Sequence, residues 1–358
     1  MPVKFYIGVN LGANNVGLAV NQATAYANQM PSGALDAIEI GNEPDLYGIQ
    51  GLRPASYSFQ DYLAQFNIWK TQIMPSLPPS IKFLGPSTVD AGWLPETESF
   101  LAAEASVMNA FSQHYYFGDG KANNADDILL SPGASTTGPK EVAAAVNTSH
   151  QFGIPFRIGE MNSLSSGGEQ GISNAFGSAL WAVDIMFEFA QVGVDGVNWH
   201  TNSCCAYDAF EFDSHGTGAS TTYSLTSVNP LYYGLLFFQE ATGNGAHLLP
   251  VTLTTEANLK AWATVDASDT TRLVLLNKDE TAAGTVTVQA NGFSQAQVLR
   301  LTAPSYLSTS GVVFAGQTFD GSTTGIIQGS QTVENVAASQ GVFQIPMPVT
   351  SAALVIFK

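Results

Sequence analysis

The chain has 358 residues, of which 45% are hydrophobic and only 11% charged. That composition excludes wholesale disorder, and the length exceeds what one ordinary domain needs. Lys plus Arg number 12 against 29 Asp plus Glu, a formal charge of −17, so phosphate backbones and anionic lipid surfaces would repel it and nucleic acid is not expected as a partner.

In chain order, β-rich runs are predicted at Phe5–Gly12, Ala37–Glu43, Ile81–Thr88, Phe111–Phe117, Phe156–Met161 and Gly196–Thr201. Helical patterns are predicted near Val16–Gln29, Tyr57–Ile73, Thr97–Asn109, Lys140–Gln151, Ser173–Val192 and Leu231–Glu240. Alternation of this kind predicts parallel strands joined by crossover helices. Beyond about residue 243 the helical pattern stops. Short strands follow at Leu259–Val265, Arg272–Asn277, Gly284–Ala290, Ala296–Thr302, Val312–Phe314 and Ala352–Phe357, separated by Gly, Asn, Asp and Ser. Such spacing indicates an antiparallel β-sandwich. The expected domains are therefore 1–242 and 243–358.

Two cysteines, Cys204 and Cys205, are adjacent and lack zinc-site spacing, so they read as plain buried residues. No run approaches the roughly 18–20 apolar residues of a membrane span. The opening MPVKFYIGVNLG shows no secretory n-region, h-region and cleavage site.

Two carboxylates stand out. Glu43 in AIEIGNEPDLYG and Glu160 in PFRIGEMNS both fall at the C-terminal end of a predicted strand. In (β/α)₈ enzymes the active site sits at that end of the strands, which would bring both acids into one cleft. A pair of carboxylates across a sugar suits glycoside cleavage, one protonating the departing oxygen and the other attacking the anomeric carbon. Asn42, beside Glu43, is placed to bond the 2-hydroxyl. Strand alternation puts His114 and Tyr116 on one face, and puts Glu39 on the same side as Glu43.

The segments IEIGNEPDLYG, QHYYFGDG and RIGEMNSLSSGG, in this order, resemble glycoside hydrolase family 79, the β-glucuronidase and heparanase group of the (β/α)₈ retaining glycosidase clan. GVDGVNWHT, VVFAGQTFDG and SAALVIFK extend the resemblance over essentially the whole chain. It implies a (β/α)₈ TIM barrel followed by the antiparallel β-sandwich, with Phe5–Gly12 as the third barrel strand. The first two βα units would then be lacking. An open barrel exposes strand edges, so the chain is expected to fold poorly by itself.

The resemblance further implies Glu43 as acid/base with Asn42 as its partner, Glu160 as nucleophile, and no cofactor. His114 and Tyr116 would orient the nucleophile and touch the sugar. In the loop SLSSGGE, Ser166, Gly167 and Gly168 would form a backbone nest for a uronate carboxylate. Ser165 stands where the family's glucuronidases carry a tyrosine, which also leaves a neutral sugar open, and the lacking front units leave open a non-catalytic carbohydrate-binding protein or inactive fragment. Tyr207 supplies the missing phenol or else packs its loop. Trp199 and Asn10 are expected to reach the substrate, or else to pack the core. Secreted or periplasmic placement is an inference from the family. The 12 basic residues are dispersed with no two adjacent, so terminal glucuronate or its 4-O-methyl form, on neutral glycans or small aglycones, is expected over a sulfated polyanion.

Overall fold

The structure is a computed structural model that describes residues 3–201, 204–243 and 245–358. Its elements run β1 Phe5–Val9, α1 Val16–Gln29, β2 Leu35–Ile40, α2 Phe59–Ile73, β3 Lys82–Thr88, α3 Thr97–Glu104, β4 Met108–Asp119, α4 Gly133–Gln151, β5 Phe156–Ser165, α5 Phe176–Gln191 and β6 Gly196–Trp199. A hairpin follows, β7 Phe210–His215 with β8 Thr222–Val228, and then α6 Pro230–Thr242. The remaining strands are β9 His247–Leu249, β10 Leu259–Val265, β11 Thr271–Asn277, β12 Gly284–Gln289, β13 Gln295–Thr302, β14 Val313–Phe314, β15 Glu334–Ala337, β16 Val342–Met347 and β17 Ser351–Phe357. The α/β alternation and the later strands are as expected. The hairpin, β9, β15 and β16 were not.

Contacts divide the chain into two units. One comprises Met1–Tyr116, Gly138–Met161 and Val192–Trp199, and the other Phe117–Thr137, Asn162–Gln191 and His200–Lys358. The expected line between residues 242 and 243 is not one of these divisions.

The first unit is built on a six-stranded sheet in the order β1-β2-β3-β4-β5-β6. Its pairs β1–β2, β2–β3, β3–β4 and β5–β6 are parallel. The helix ends are set locally. Asn15 accepts from the Leu18 N–H to cap α1, and Ser58 with Asp61 forms a capping box on α2. An aromatic ladder then fastens α2 and α3 to the strands. Phe66 meets Phe100 at 5.2 Å, Phe100 meets Phe111 at 5.9 Å, and Phe111 stacks on Phe156 at 5.3 Å. All four rings are fully buried, and each such pair contributes about 0.5–1.5 kcal/mol beyond its area burial.

In the second unit, β11 and β17 read as continuous apolar runs because both faces of their sheet are covered. Val274, Leu276, Leu299, Leu301 and Leu354 face α5 and α6 in one core, where Phe187 stacks on Trp262 at 5.0 Å. Leu273, Leu275, Val298, Ala353 and Val355 face Phe343, Ile345 and Met347 of β16 in another. The main sheet runs β14-β13-β17-β11-β10-β9, with β15 also on β13, and β12–β16 form a separate antiparallel pair. Helix α5 is mostly apolar and buried almost throughout, its two acids Asp184 and Glu188 lying one turn apart on one side. Gly234 lets α6 pass against the Ala179 carbonyl, where a Cβ would collide.

Candidate active site

Glu43 does not end a strand. β2 stops at Ile40, and the chain turns through Gly41 (φ 90°) into a short 3-10 turn, Pro44–Leu46, with Glu43 before it at φ 48°. A Cβ at Gly41 would lie 2.8 Å from Leu11 Cδ2, so that position requires glycine on two counts. Alternation therefore does not carry from Glu39 to Glu43. A left-handed glutamate costs on the order of 1–3 kcal/mol and is held by its surroundings. The Glu43 N–H donates to the Ser87 carbonyl at 2.9 Å. Asp45 Oδ2 accepts from the N–H groups of Val89 (3.1 Å) and Asp90 (2.7 Å).

Burial pushes the Asp45 carboxyl up to about 6, against its backbone hydrogen bonds and with help from the Glu43 charge. A carboxyl raised in the folded state is most favourable to folding below about pH 4, and that contribution disappears as pH rises toward 6. Asp45→Asn, which cannot ionise, should flatten the pH dependence of stability. Relative to the parent, it should gain roughly 1–3 kcal/mol between pH 4 and pH 7. Urea unfolding at the two pH values measures this, and identical slopes for parent and variant would refute it.

Glu160 lies inside β5, which continues to Ser165 and not to the expected end at Met161. The register of β5 against β6 slips between Ile158 and Met161, and Glu160 lies in that slip. Gly159 permits the close approach of Ser112, whose hydroxyl a Cβ there would meet head-on.

Two residues of β4 reach these acids. His114 Nδ1 is 3.1 Å from Glu43 Oε1 and 3.9 Å from Glu160 Oε2, while the Tyr116 hydroxyl donates to Glu160 Oε1 at 2.7 Å. One oxygen of each carboxylate and one His114 nitrogen all lie within 4.8 Å of one another. His114 is 2% exposed, against 19% for Glu43 and 26% for Glu160, so the acids look outward past a buried imidazole. Burial is the largest single influence on His114 and pushes it down. The hydrogen bond to Glu43, with the charges of Glu160, Glu39 and Glu43, outweighs it and raises the imidazole above its ordinary value. These three side chains could also hold a divalent ion, at the expense of the His114–Glu43 hydrogen bond.

Asn42 is exposed beside Glu43. With Asn10, Glu39 and Tyr47 it lines a cavity of about 480 Å³. Asn10 has a local task as well, its Oδ1 accepting from the Ala13 N–H at 2.9 Å to close a turn. Trp199 ends β6, half-buried and paired in register with Met161. The strand alternation that pointed to Glu39 found it, but gave no reason for an acid at that position.

In the second unit, Ser166, Gly167 and Gly168 all have positive φ (58°, 93° and 77°), whereas the expected backbone nest pairs right- and left-handed residues. The Gly168 N–H is also donated to the Ser165 carbonyl at 3.1 Å. Asp119, which sequence reasoning missed, accepts from the Lys121 N–H at 3.0 Å and from the Ser166 hydroxyl, and both hold its carboxyl below the ordinary value. Tyr207 is buried, with its hydroxyl 2.7 Å from His200 Nδ1. Its ring stands beside Gly168, where an added Cβ would come within 3.1 Å. Cys204 and Cys205 are unlinked, and Cys204 is exposed, contrary to the expected burial of both. The Asp208 carboxylate accepts from both their N–H groups at 2.8 Å, holding them on a surface turn.

Residues 261–354 match the glycosyl hydrolase family 79 C-terminal beta domain. The family resemblance read from the motifs is borne out. A β-glucuronidase of Aspergillus niger is 29% identical over 288 residues, covering 72% of this chain and 51% of that protein. A β-glucuronidase of Neurospora crassa is 24% identical over 314 residues, covering 74% and 54%. The chain thus spans about half the length of the curated relatives it matches. Among solved structures, a 4-O-α-L-rhamnosyl-β-D-glucuronidase of Fusarium oxysporum, as a Rha-GlcA complex, aligns with TM-score 0.80 and 25% identity. That alignment covers 98% of this chain and 76% of that one. A family 51 arabinofuranosidase of Xanthomonas axonopodis aligns at TM-score 0.67 and 16% identity, a likeness of fold.

Proposed function

We propose that this family 79 relative is a retaining exo-β-glucuronidase. The observation that carries the reading is the approach of Glu43 and Glu160, with oxygens within 4.8 Å and His114 between them. Retention requires carboxyl groups about 5–5.5 Å apart, and inversion about 6.5–9.5 Å. Glu160 attacks the anomeric carbon as the bond to the leaving oxygen breaks, and Glu43 gives that oxygen its proton. Glu43 then takes a proton from water, whose oxygen attacks the same carbon and releases Glu160. Tyr116, bonded to Glu160 Oε1, fixes the rotation of that carboxylate and leaves Oε2 on the His114 side.

The six-stranded sheet is assigned as strands three to eight of a (β/α)₈ barrel, with 243–358 as the β-sandwich domain. The partly exposed edge strands β1 and β6 support this. Secretion is part of the same proposal. Among the described residues no helix is long and apolar enough to cross a membrane.

A terminal glucuronate as substrate is supported by the names of the relatives. A neutral sugar is the second reading. It is favoured by the engaged Gly168 N–H, and by Asp119 on the Ser166 hydroxyl, which places a negative charge at the 166–168 loop. Measuring kcat/KM on chromogenic β-glucuronide, β-glucoside and heparan sulfate decides between them. The lead reading predicts glucuronide above glucoside by at least about 100-fold. Equal or higher values on glucoside establish the second reading, and a higher value on heparan sulfate overturns the preference for small or neutral substrates.

A further inference from the structure

The two cysteines of the chain, adjacent at 204 and 205, have no part in the carboxylate chemistry. Cys204 is exposed, Cys205 is half-buried, and both are free thiols. They line a cavity of about 300 Å³ together with Gln170, Asp208, Glu211 and Phe212. Both backbone N–H groups donate to Asp208 Oδ2, at 2.8 Å each, and Asp208 itself is buried. The next N–H, of Ala206, donates to the Gly167 carbonyl at 2.7 Å. Cys205 Sγ lies against Gly167, where an added Cβ would stand 3.6 Å from it. One short turn thus joins an accessible thiol pair to the 166–168 loop.

With two cysteines in the 358 residues, one disulfide is open to the chain within itself. We propose that Cys204 and Cys205 are a redox modification site, at which a low-molecular-weight disulfide oxidises the pair to a vicinal disulfide and releases the turn from Asp208 and from the 166–168 loop. The site lies beyond the glycosidase reading and stands without it.

The exchange has two steps. Cys204 gives its proton to water, and its thiolate attacks one sulfur of the reagent. The reagent's S–S bond breaks, a mixed disulfide forms on Cys204, and one half leaves as a thiolate that takes up a proton. Cys205 then gives up its proton, and its sulfur attacks the Cys204 sulfur and releases the other half as a second thiol. The protein loses two electrons and two protons, and the reagent gains both.

Exposure and environment set the order. Burial, with the hydrogen bond and charge of Cys204 and the charge of Asp208, pushes the Cys205 thiol up to about 11, against a hydrogen bond with Tyr207. Cys205 therefore stays protonated at neutral pH, and the exposed Cys204 reacts first. The share due to Cys204 disappears in the mixed disulfide, which favours the second step. A disulfide needs its Cβ atoms about 3.5–4.5 Å apart. Drawing adjacent Cβ atoms together turns the peptide between them. That movement swings the Cys205 N–H away from Asp208 Oδ2 and takes Cys205 Sγ off Gly167.

The test is incubation of the 358-residue chain with oxidised glutathione, read by intact mass, peptide mapping and amide hydrogen exchange. The pair should lose two hydrogens with no glutathione retained, and dithiothreitol should restore it. Exchange at the Cys205 and Ala206 amides should become faster by about tenfold or more, while β11 and β17 keep their protection. Cys205→Ser should stop with one glutathione on Cys204, and Cys204→Ser should take up glutathione about tenfold more slowly than that. If a variant fails to fold, the measurements on the parent chain decide alone. Thiols that survive excess reagent, a parent chain that stops at the mixed disulfide, or a disulfide to a second copy would each overturn the proposal. So would closure that leaves the Cys205 and Ala206 exchange unchanged or speeds β11 and β17 equally, and so would equal uptake by the two variants.

Discussion

Replacing Glu160 by alanine should lower turnover of a β-glucuronide by on the order of 10⁴–10⁶-fold, as expected when a covalent nucleophile is lost. Tyr116 would then lose its bond to Glu160, and the anomeric carbon would lose its attacking carboxylate. Glu43→Ala should cost less, about 10²–10⁴-fold, and least with a leaving group that departs without a proton. Added azide should restore part of the rate in either variant, because a small anion fits the space the carboxylate vacates. Steady-state assays with and without azide on purified, folded variants measure this. Activity retained within tenfold in Glu160→Ala removes that residue from the mechanism.

The second large effect concerns stability. Asp184 of α5 is fully buried, its Oδ1 2.8 Å from Lys260 Nζ and its Oδ2 2.5 Å from the buried Lys278 Nζ. Lys260 also pairs with Glu188 at 2.9 Å and donates to the Ser135 hydroxyl at 3.1 Å. Burial lowers Lys278 below its ordinary value, with Asp184 opposing, so the pair survives through mutual compensation. Asp184→Ala leaves Lys278 buried without its counter-charge and should cost about 3–5 kcal/mol. Replacing both partners, Asp184→Leu with Lys278→Met, should recover most of that loss, since a buried ion pair rarely outperforms an apolar pair of similar volume. Urea unfolding of the single and double variants gives the comparison. A single variant within 1 kcal/mol of the parent, or a double variant worse than the single, contradicts it.

What was legible in the sequence follows from where local signals decide structure. The bounds of α1 and β10 agree with expectation because a capping Asn15 and a clear alternating run mark them. Helix α4 starts at Gly133, seven residues before the expected Lys140, because Pro139 sits inside it where a proline usually begins a helix. Strand β16 was missed for a related reason, since it contains Pro346, which demotes a run from strand on local grounds.

At the candidate site, the two glutamates and the His114–Tyr116 alternation were visible as patterns. The left-handed turn that aims Glu43 was not, because the contacts that hold it, from the Ser87 carbonyl and from the Val89 and Asp90 N–H groups on Asp45, come from the end of β3, distant in sequence. Asp119 escaped notice for the same reason. Its meeting with Ser166 joins residues almost fifty positions apart through tertiary structure alone.

The measurement that bears most directly on the assignment of Glu43 and Glu160 is the anomeric configuration of the azide products, read from proton coupling constants. Glu160→Ala should yield the α-glucuronosyl azide, because azide enters opposite the departing group in place of the nucleophile. Glu43→Ala should yield the β-azide, formed on the intact Glu160 adduct. A β-azide from Glu160→Ala, or an α-azide from Glu43→Ala, would contradict the roles given to the two carboxylates.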